Sequence, residues 1–222
     1  MLDIMKKAVK EGRKTLSEYE SRLVIESAGV LVAAAALAKT KEEAIQEAEK
    51  IGYPVVMKGC SAELSHKTEA GMVALNICSS EEVARVFDEL NGKMKNLDGV
   101  LVEKMVRGSR EFVIGLSHDQ SFGPCVMFGL GGIFTEALKD VTFRVAPLSK
   151  EDALEMIDEI KTKILLGEFR GSPAVDKEAL AKALIGVGDL GIKYDSIAEI
   201  DINPLIICGD KPVAVDALVV LK

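Results

Sequence analysis

This chain contains segments with a helical spacing of apolar residues and, between groups of them, short apolar runs that contain many β-branched residues. Each helical segment opens on a residue that favours the start of a helix, and the first two begin with the capping-box pattern S/T-x-x-E. The pattern predicts helices that begin directly after Ser17, Thr40, Ser79 or Ser80, Ser149 and Asp176. Gly29 and Gly52 are expected to end the first two helices.

The apolar runs predict strands at residues 30–38, 53–58, 72–77, 100–105, 111–116, 124–128, 141–146, 196–207 and 212–221. We expect strands 100–105 and 111–116 to form a hairpin around Arg107-Gly-Ser109. We expect the last two strands to pair around a turn at Gly209-Asp210. Hairpins are frequent and no continuous β-α-β-α order holds, which favours an α+β fold with mixed or antiparallel sheets over a doubly wound parallel sheet.

The length of 222 residues is enough for one large domain or two small ones, each with its own core. We expect an N-terminal arm or helix at residues 1–16, a smaller lobe at residues 17–98 and a larger lobe at residues 99–222. The candidate chemistry described below would then lie between the two lobes.

The composition is that of a soluble globular protein, with 48% apolar and 28% charged residues. The net charge of −7 argues against nucleic acid or an anionic membrane as a main partner. No segment reaches the roughly 20 apolar residues of a membrane span, and the N-terminus lacks the pattern of an export signal. We therefore expect a cytoplasmic protein. Because the four cysteines lack C-x-x-C spacing, we expect reduced thiols.

An acidic row near the C-terminus is a candidate metal site. In the predicted strand Glu199-Ile-Asp-Ile-Asn203, side chains alternate between faces, so Glu199, Asp201 and Asn203 share one face. The predicted partner strand adds Asp216, which is flanked by apolar residues on both sides. Oxygen-bearing side chains in this arrangement suit Mg²⁺, which proteins hold with one or two carboxylates and substrate phosphates. A solvated strand face with a turn-stabilising Asp216 is the alternative interpretation.

A lysine and a histidine near residue 60 are candidates for phosphate chemistry. An apolar run ends on Lys58, and the polar loop that follows carries His66 beside Lys67. A neutral imidazole can accept a phosphoryl group near pH 7, and the two lysines could hold that group. The alternative for His66 is an ordinary loop histidine. His118 is expected in a turn before Asp119, and we assign it no role.

Two further segments are weaker candidates. The Gly129-Leu-Gly-Gly132 segment matches neither the Walker pattern nor the dinucleotide fingerprint, so it predicts either a strand turn or a loop that approaches a ligand. Glu103-Lys-Met105 ends a predicted strand and Glu111 begins the next one. Exposed backbone groups and a glutamate there could hydrogen-bond an adenine edge and a ribose. Charged residues at strand ends are the alternative.

Several of these segments together resemble the nucleotide-binding (beta) subunit of ADP-forming acyl-CoA synthetases of the acetate–CoA ligase type. The resemblance runs from about Ser17 to the C-terminus. The motifs that carry it are Gly52-Tyr-Pro-Val-Val-Met-Lys58, His66-Lys-Thr-Glu-Ala-Gly71, Phe122-Gly-Pro, Gly129-Leu-Gly-Gly132, Asp140 through Arg144 to Pro147, Glu199-Ile-Asp-Ile-Asn-Pro204 and Val215-Asp-Ala217. The resemblance implies an ATP-grasp fold, in which two α+β lobes clamp a nucleotide.

The resemblance also implies a reaction and a partner. The family converts acyl-CoA, ADP and phosphate into free acid, ATP and CoA. A separate CoA-binding alpha subunit would supply the acyl site, with α2β2 as the expected assembly, so this chain should be inactive alone. A phosphohistidine relay would carry the phosphoryl group to this subunit, where ADP or ATP binds together with Mg²⁺.

The roles implied by the resemblance fall on residues already singled out. His66 matches the second phosphoryl carrier, and Lys58 matches a lysine that contacts the nucleotide phosphates. Glu103, Lys104 and Met105 match the adenine hinge, and Glu111 matches the acid after it. Asn203 and Asp216 match the Mg²⁺ ligands, with Asp201 close by, and Arg144 matches a residue that helps to neutralise phosphate charge.

Two other functions stay open at this point. The chain could belong to another ATP-grasp enzyme, a carboxylate–amine or carboxylate–thiol ligase that uses acyl phosphate directly and does not need His66. It could also be a non-catalytic nucleotide-sensing or assembly subunit, which would bind Mg·ATP without forming a phosphohistidine.

Overall fold

The computed structural model describes residues 2–64, 70–94, 96–132 and 139–222. The chain forms two compact units: a larger one from Met1–Leu16, Glu20–Val32 and Val106–Lys222, and a smaller one from Ser17–Tyr19 and Ala33–Met105. Each unit combines helices with one antiparallel sheet, which confirms the predicted α+β class.

The described residues form helices and strands close to the predicted positions. The helices are α1 (Leu2–Lys10), α2 (Glu18–Ser27), α3 (Lys41–Ile51), α4 (Ser80–Lys93), α5 (Lys150–Glu159) and α6 (Lys177–Lys193), with a short 3-10 helix at Lys163–Leu166. The strands are β1 (Ala35–Ala38), β2 (Val55–Cys60), β3 (Val73–Ile77), β4 (Gly99–Lys104), β5 (Glu111–Asp119), β6 (Gly123–Leu130), β7 (Val141–Val145), β8 (Ile197–Cys208), β9 (Lys211–Ala214) and β10 (Leu218–Leu221).

The smaller unit is a four-stranded sheet in the order β1-β4-β2-β3, covered on one face by α3 and α4. Its core joins Val55 and Met57 of β2 with apolar residues of the two helices, among them Ala48 and Phe87. The side chains on the other face of β2 are also buried. That second face carries Lys58.

Predicted capping residues start the helices of this unit. The Thr40 hydroxyl accepts the Glu43 backbone N–H at 3.2 Å, and the Ser79 hydroxyl accepts the Glu82 N–H at 3.3 Å. Gly52 follows α3 with φ 83°, a backbone conformation that favours glycine. Local side-chain chemistry therefore sets these helix ends, as the sequence predicted.

The larger unit is built on a sheet in the order β10-β8-β5-β6-β7, with β9 also paired to β8. One face of this sheet packs against helices of the same unit, and we call the opposite face the open face. The core on the packed face includes Phe112, Phe128 and Ile200 from the strands and Met156 and Leu184 from the helices.

The predicted hairpin between residues 100–105 and 111–116 is wrong. β4 pairs with β1 and β2 in the smaller unit, whereas β5 pairs with β6 and β8 in the larger one. Residues 105–110 therefore connect two different sheets. Hydrophobic alternation marks both segments as strands, but it does not specify their partners.

The boundaries of the units also differ from the predicted division after residue 98. A boundary there would separate β4 from the sheet to which its backbone is hydrogen-bonded. Residues 20–32 belong with the larger unit, where the Ser21 hydroxyl accepts the Val219 N–H. Backbone pairing, which the composition does not reveal, decides both assignments.

Arg110 lies immediately before β5 and is 3% exposed. Its Nη1 donates to the carbonyls of Leu165 and Gly167, both at 3.1 Å. Its Nη2 donates to the carbonyls of Pro173 at 2.9 Å and Gly209 at 3.1 Å. One planar guanidinium thus holds the segment after α5 and the β8–β9 turn in place.

Replacing Arg110 by Met is expected to lower the free energy of unfolding by about 3–5 kcal/mol, because buried carbonyls lose their donors. Urea denaturation measures this change. Arg85→Met is the control, since Arg85 pairs with Glu89 on an exposed helix surface and should change stability by less than about 0.5 kcal/mol. A loss below about 1 kcal/mol for Arg110→Met would contradict the structural role.

Candidate functional site

The open face of the larger sheet carries the acidic row on β8. Ile200 and Ile202 are buried in the core, while Glu199 is exposed and Asp201 and Asn203 are half-buried. The alternation along this strand is therefore as predicted. Apolar side chains hold the strand against the helices, and this directs the oxygen-bearing side chains to the opposite face.

Strand register places Asp216 directly opposite Asn203. β10 pairs Leu218 with Asp201, and β9 pairs Ala214 with Leu205. Both pairs have the same register. Asn203 lies midway between Asp201 and Leu205, and Asp216 lies midway between Ala214 and Leu218, so this register places Asn203 opposite Asp216. The Val215 N–H donates to the Pro204 carbonyl at 3.3 Å, so the register continues between the two ladders.

The partner strand was predicted as one continuous strand from 212 to 221, but it is interrupted at residues 215–217. β8 is irregular at the same level, because two of its residues, Asn203 and Pro204, oppose only Val113 of β5. Such a bulge redirects side chains and is frequent beside functional sites. At the interruption, Asp216 Oδ1 accepts the Ala217 N–H at 2.9 Å.

The glycine segment after β6 joins this site. The Gly132 N–H donates to Asn203 Oδ1 at 3.1 Å. Gly132 has φ 67°, and a Cβ at this position would lie 2.1 Å from Glu111 Oε2. The positive φ favours glycine at this position, and the absence of a Cβ leaves room for the Glu111 carboxylate. The structure thus brings together Glu111, Gly132 and Asn203.

The other two glycines of the segment serve strand packing. A Cβ at Gly129 would lie 2.4 Å from the Asp140 carbonyl oxygen, and one at Gly131 would lie 2.3 Å from the Phe112 carbonyl oxygen. The sequence left a strand turn and a ligand loop as alternatives. In the structure, close packing explains Gly129 and Gly131, whereas Gly132 contacts the candidate site.

Negative charge accumulates on the open face around Asp201. Burial raises the pKa of Asp201 from 3.8 to about 6, and the charges of Glu199 and Asp216 add to this increase. A bound cation would relieve the same repulsion. The electrostatics of the row therefore fit a site for a positively charged ligand.

The donor set fits a hard divalent cation. Asp216 and Asp201 offer carboxylate oxygens, and Asn203 Oδ1 keeps a second lone pair after accepting the Gly132 N–H. Among the described residues, no group of three or more His, Cys, Asp or Glu side chains is arranged to hold a metal ion. Mg²⁺ would then need oxygens from a bound nucleotide, which is its usual coordination in phosphoryl-transfer enzymes.

Asp201→Asn is expected to stabilise the metal-free protein at pH 8 by up to about 3 kcal/mol, because the raised pKa makes ionised Asp201 unfavourable in the folded state. The wild type should lose this stability as the pH rises from about 4 to about 6, so the gain should vanish near pH 4. Thermal unfolding in a chelator at both pH values measures it, with Glu168→Gln as control, because Glu168 is exposed and does not contribute to the raised pKa of Asp201. An equal gain at both pH values would refute the explanation by ionisation.

In the smaller unit, Lys58 is buried between two carboxylates. Its Nζ lies 2.8 Å from Glu18 Oε1 and 2.8 Å from Glu103 Oε2. Glu103 comes from β4, where it lies opposite Val56. Glu18 comes from the first turn of α2. The structure therefore joins two predicted site residues, Lys58 and Glu103, with a third that was not predicted.

Sequence reasoning missed Glu18 because it looks like an ordinary acidic residue in the first turn of a helix. The pattern S-x-x-E drew attention to Ser17 and Glu20 instead. In the structure the Glu20 carboxylate binds Arg13, at 2.7 and 3.0 Å. The available signal was Lys58 itself, because a lysine within a buried strand requires an opposite charge.

The backbone of the predicted adenine hinge is already partly occupied. The Lys104 N–H donates to the Ala34 carbonyl at 2.8 Å, and the Met105 N–H donates to the Pro54 carbonyl at 3.2 Å. The Lys104 ammonium donates to the Gly52 carbonyl at 2.6 Å. These groups stabilise the end of α3 and the start of β2, so a contribution of this segment to adenine binding would come from its carbonyl oxygens.

Arg144 is not brought together with the acidic row. It lies opposite Val126 on the packed face of the larger sheet, whereas Asp201 lies on the open face. Its guanidinium binds Glu159 of α5 at 2.6 Å, and this hydrogen bond raises the pKa of Arg144. The contact ties α5 to the edge strand β7.

His66 and Lys67 lie outside the described residues, so the phosphoryl carrier stays a prediction. His118 is described, and its predicted place in a turn is wrong: it lies within β5, opposite Pro124. Burial lowers the pKa of His118, and the charge of Lys222 contributes to this effect.

Across the described ranges, no helix has both the length and the apolar character needed to cross a membrane.

Comparison with known proteins covers almost the whole chain. Residues 7–221 match the family described as the ATP-grasp domain. The chain is 44% identical to the beta subunit of ADP-forming acetate–CoA ligase I from Pyrococcus furiosus, over 99% of this chain and 97% of that subunit.

Solved structures give the same relationship. The dinucleotide forming acetyl-coenzyme A synthetase 1 of Ca. Korarchaeum cryptofilum, in complex with coenzyme A, Ca-AMPCP and HgCl+, has a TM-score of 0.94 and 43% identity over 99% of both chains. A second structure of that enzyme has a TM-score of 0.88, at 43% identity and 99% of both chains. It contains coenzyme A and Mg-AMPPCP and is described with its phosphohistidine segment pointing towards the nucleotide binding site.

Proposed function

This chain belongs to the ATP-grasp domain family, and we propose that it acts as the nucleotide-binding (beta) subunit of an ADP-forming acetate–CoA ligase. The observation that carries the proposal is the match over 99% of both chains to an enzyme solved with coenzyme A and a nucleotide analogue. The overall reaction converts acyl-CoA, ADP and phosphate into free acid, ATP and CoA. This subunit performs the last step, in which ADP receives a phosphoryl group.

A second subunit completes the enzyme. The relatives from Pyrococcus furiosus are named as beta subunits, which implies an alpha-subunit partner. We propose that this partner binds CoA and carries the acyl site, and that the two assemble as α2β2. Acyl specificity then belongs to the alpha subunit, and the chain described here supplies the nucleotide site.

The proposed nucleotide contacts follow the roles predicted for individual residues. Lys58 supplies positive charge to the phosphates, and Glu111 hydrogen-bonds the nucleotide. Carbonyl oxygens of Glu103, Lys104 and Met105 contribute to the adenine site. Such fixed charges and donors lower the barrier to phosphoryl transfer mainly by positioning and neutralisation.

Magnesium is proposed at Asn203 and Asp216, with Asp201 close by. When bound, the ion neutralises phosphate charge that would otherwise repel an incoming phosphoryl group. The contribution of the protein is to hold the two ligands opposite each other across the strands, with the Gly132 N–H orienting the Asn203 amide.

His66 is proposed as the phosphoryl carrier on this subunit. In the forward step the P–N bond of phosphohistidine breaks and a P–O bond to the terminal oxygen of ADP forms. The released ring nitrogen takes up a proton and the imidazole returns to its neutral form. An unperturbed imidazole pKa near 6.5 suits this exchange at neutral pH.

We also propose that the enzyme works in the cytoplasm. All four cysteines are free thiols, and Cys78 and Cys208 are exposed. Exposed thiols persist in a reducing compartment, where disulfides are rare.

Co-purification with the candidate alpha subunit, followed by an ADP-dependent acyl-CoA assay, tests the proposed function. We expect the beta subunit alone to bind Mg·ADP, as measured by calorimetry, but to form no ATP from acetyl-CoA and phosphate. Addition of the alpha subunit should start turnover. Turnover by the beta subunit alone would contradict the proposal, as would failure of the assembled pair with every acyl-CoA tried.

A further inference from the structure

We infer that Glu18 is a positioning residue that holds the Lys58 ammonium where it meets the nucleotide phosphates. The inference rests on the proposed function, because it deepens the role of Lys58 in phosphoryl transfer. It assigns a task to a buried carboxylate that the nucleotide and metal sites described above do not use. Glu18, Lys58 and Glu103 all lie within the smaller unit.

Lys58 belongs to the face of the small sheet that points away from its helices. Val55 and Met57 pack in the core beneath α3 and α4, so the alternation along β2 turns Val56, Lys58 and Cys60 to the other face. All three are nevertheless buried. Something other than the two helices must therefore cover this face.

The segment Ser17–Tyr19 supplies cover there, and it belongs to the smaller unit although the rest of α2 does not. The Tyr19 backbone N–H and the Ser17 hydroxyl both donate to Cys60 Sγ. These two contacts fix the backbone on either side of Glu18. The Glu18 carboxylate is thereby held beside Lys58 by the fold, before any nucleotide binds.

The two carboxylates act on the ammonium from different elements. Glu103 reaches Lys58 from the neighbouring strand, and Glu18 reaches it from the helix start, each at 2.8 Å. A lysine side chain has four rotatable carbon–carbon bonds and behaves as a flexible point charge. Two carboxylates that bind the ammonium from different elements restrict these rotations, whereas Glu103 alone would leave the ammonium a wider range of positions.

The charges of Lys58, Glu18 and Glu103 predict different effects of Glu18 on nucleotide affinity and on the rate of phosphoryl transfer. One ammonium between two carboxylates leaves one negative charge in excess, which repels an incoming phosphate. Removal of the Glu18 charge should therefore leave nucleotide binding unchanged or slightly tighter. The same change releases the ammonium from its place, and misplacement of a catalytic charge lowers the rate of the chemical step.

The test compares Glu18→Gln with Glu20→Gln in the full-length subunit assembled with its alpha subunit. Glu20 lies two residues further along the same helix, and its carboxylate binds Arg13 at 2.7 Å. We expect Glu18→Gln to lower kcat about 10- to 100-fold with less than about a threefold change in KM for Mg·ADP. Glu20→Gln should retain the wild-type kcat. An unchanged kcat for Glu18→Gln, or a loss that appears only in KM, would overturn the inference.

A second measurement does not depend on turnover. We expect acetylation of Lys58 by sulfo-NHS-acetate, followed by peptide mass spectrometry relative to the exposed Lys150, to be slow in the wild type and in Glu20→Gln. It should become about fivefold faster or more in Glu18→Gln. Thermal unfolding establishes that each variant is folded.

The two measurements separate the inference from the proposed function. Absence of turnover by the wild-type assembly would reject the proposed function, and the Lys58 labelling rates would still show whether Glu18 restrains the ammonium. Normal turnover with equal labelling rates in all three proteins would reject the inference alone.

Discussion

Replacement of His66 by Ala is expected to reduce ATP formation from acetyl-CoA by at least about a thousandfold in the assembled enzyme, because loss of a covalent nucleophile removes the whole relay step. Binding of Mg·ADP should persist, since the proposed nucleotide and metal ligands remain. The coupled assay measures turnover, and calorimetry measures binding. The wild type should also carry an acid-labile, base-stable phosphate label, which His66→Ala should lack.

His118→Gln is the matched control, because the chain contains only two histidines. His118 lies within β5, and its Nε2 is buried with no hydrogen-bond partner among the described residues. This variant should keep the label. Retained turnover in His66→Ala would favour a ligase that uses acyl phosphate directly. A wild type that binds Mg·ATP but acquires no label in the presence of the alpha subunit and substrates would favour a nucleotide-sensing subunit.

Replacement of Asp216 by Asn is expected to lower kcat/KM for Mg·ADP by about 100-fold, which corresponds to about 2.7 kcal/mol. The substitution keeps the size of the side chain but removes the charge that faces Asn203 across the strands. The apparent requirement for Mg²⁺ should rise in parallel. Initial rates measured across a magnesium titration test both effects.

Asp210→Asn serves as the control for this substitution. Asp210 lies at the β8–β9 turn, half-exposed and 3.6 Å from the Lys211 ammonium, and it takes no part in the proposed site. Its loss should leave the magnesium dependence unchanged. If Asp216→Asn needs no more magnesium than the wild type, Asp216 is not a ligand, and the alternative of a turn-stabilising carboxylate is favoured by its hydrogen bond to the Ala217 N–H.

Secondary structure and the residues that begin helices were largely predictable, because they depend on neighbours in the sequence. Thr40 and Ser79 cap helices by bonding a backbone N–H three residues later. The alternation along β8 likewise separates Ile200 and Ile202 from Asp201 without knowledge of the fold. Such contacts span only a few residues, so the sequence contains all the information they require.

Sheet partners and side-chain neighbours were less predictable. The segments 100–105 and 111–116 are adjacent in sequence and both are strands, yet they belong to different sheets. Arg144 was predicted to help neutralise phosphate charge, but the register of β6 and β7 places it on the packed face, where Glu159 binds it. A shift of one residue in register exchanges the two faces of a strand, and local sequence does not prevent that shift.

The sequence by itself determined the class of fold, the helix starts, the acidic row on β8 and the position of Lys58 at the end of an apolar run. Only the tertiary structure decided that Asp216 faces Asn203 and that Glu18 holds Lys58. The physical reason is distance along the chain. Asn203 and Asp216 meet through strand register, while Glu18 and Lys58 are 40 residues apart and meet only because a helix start covers one face of the small sheet.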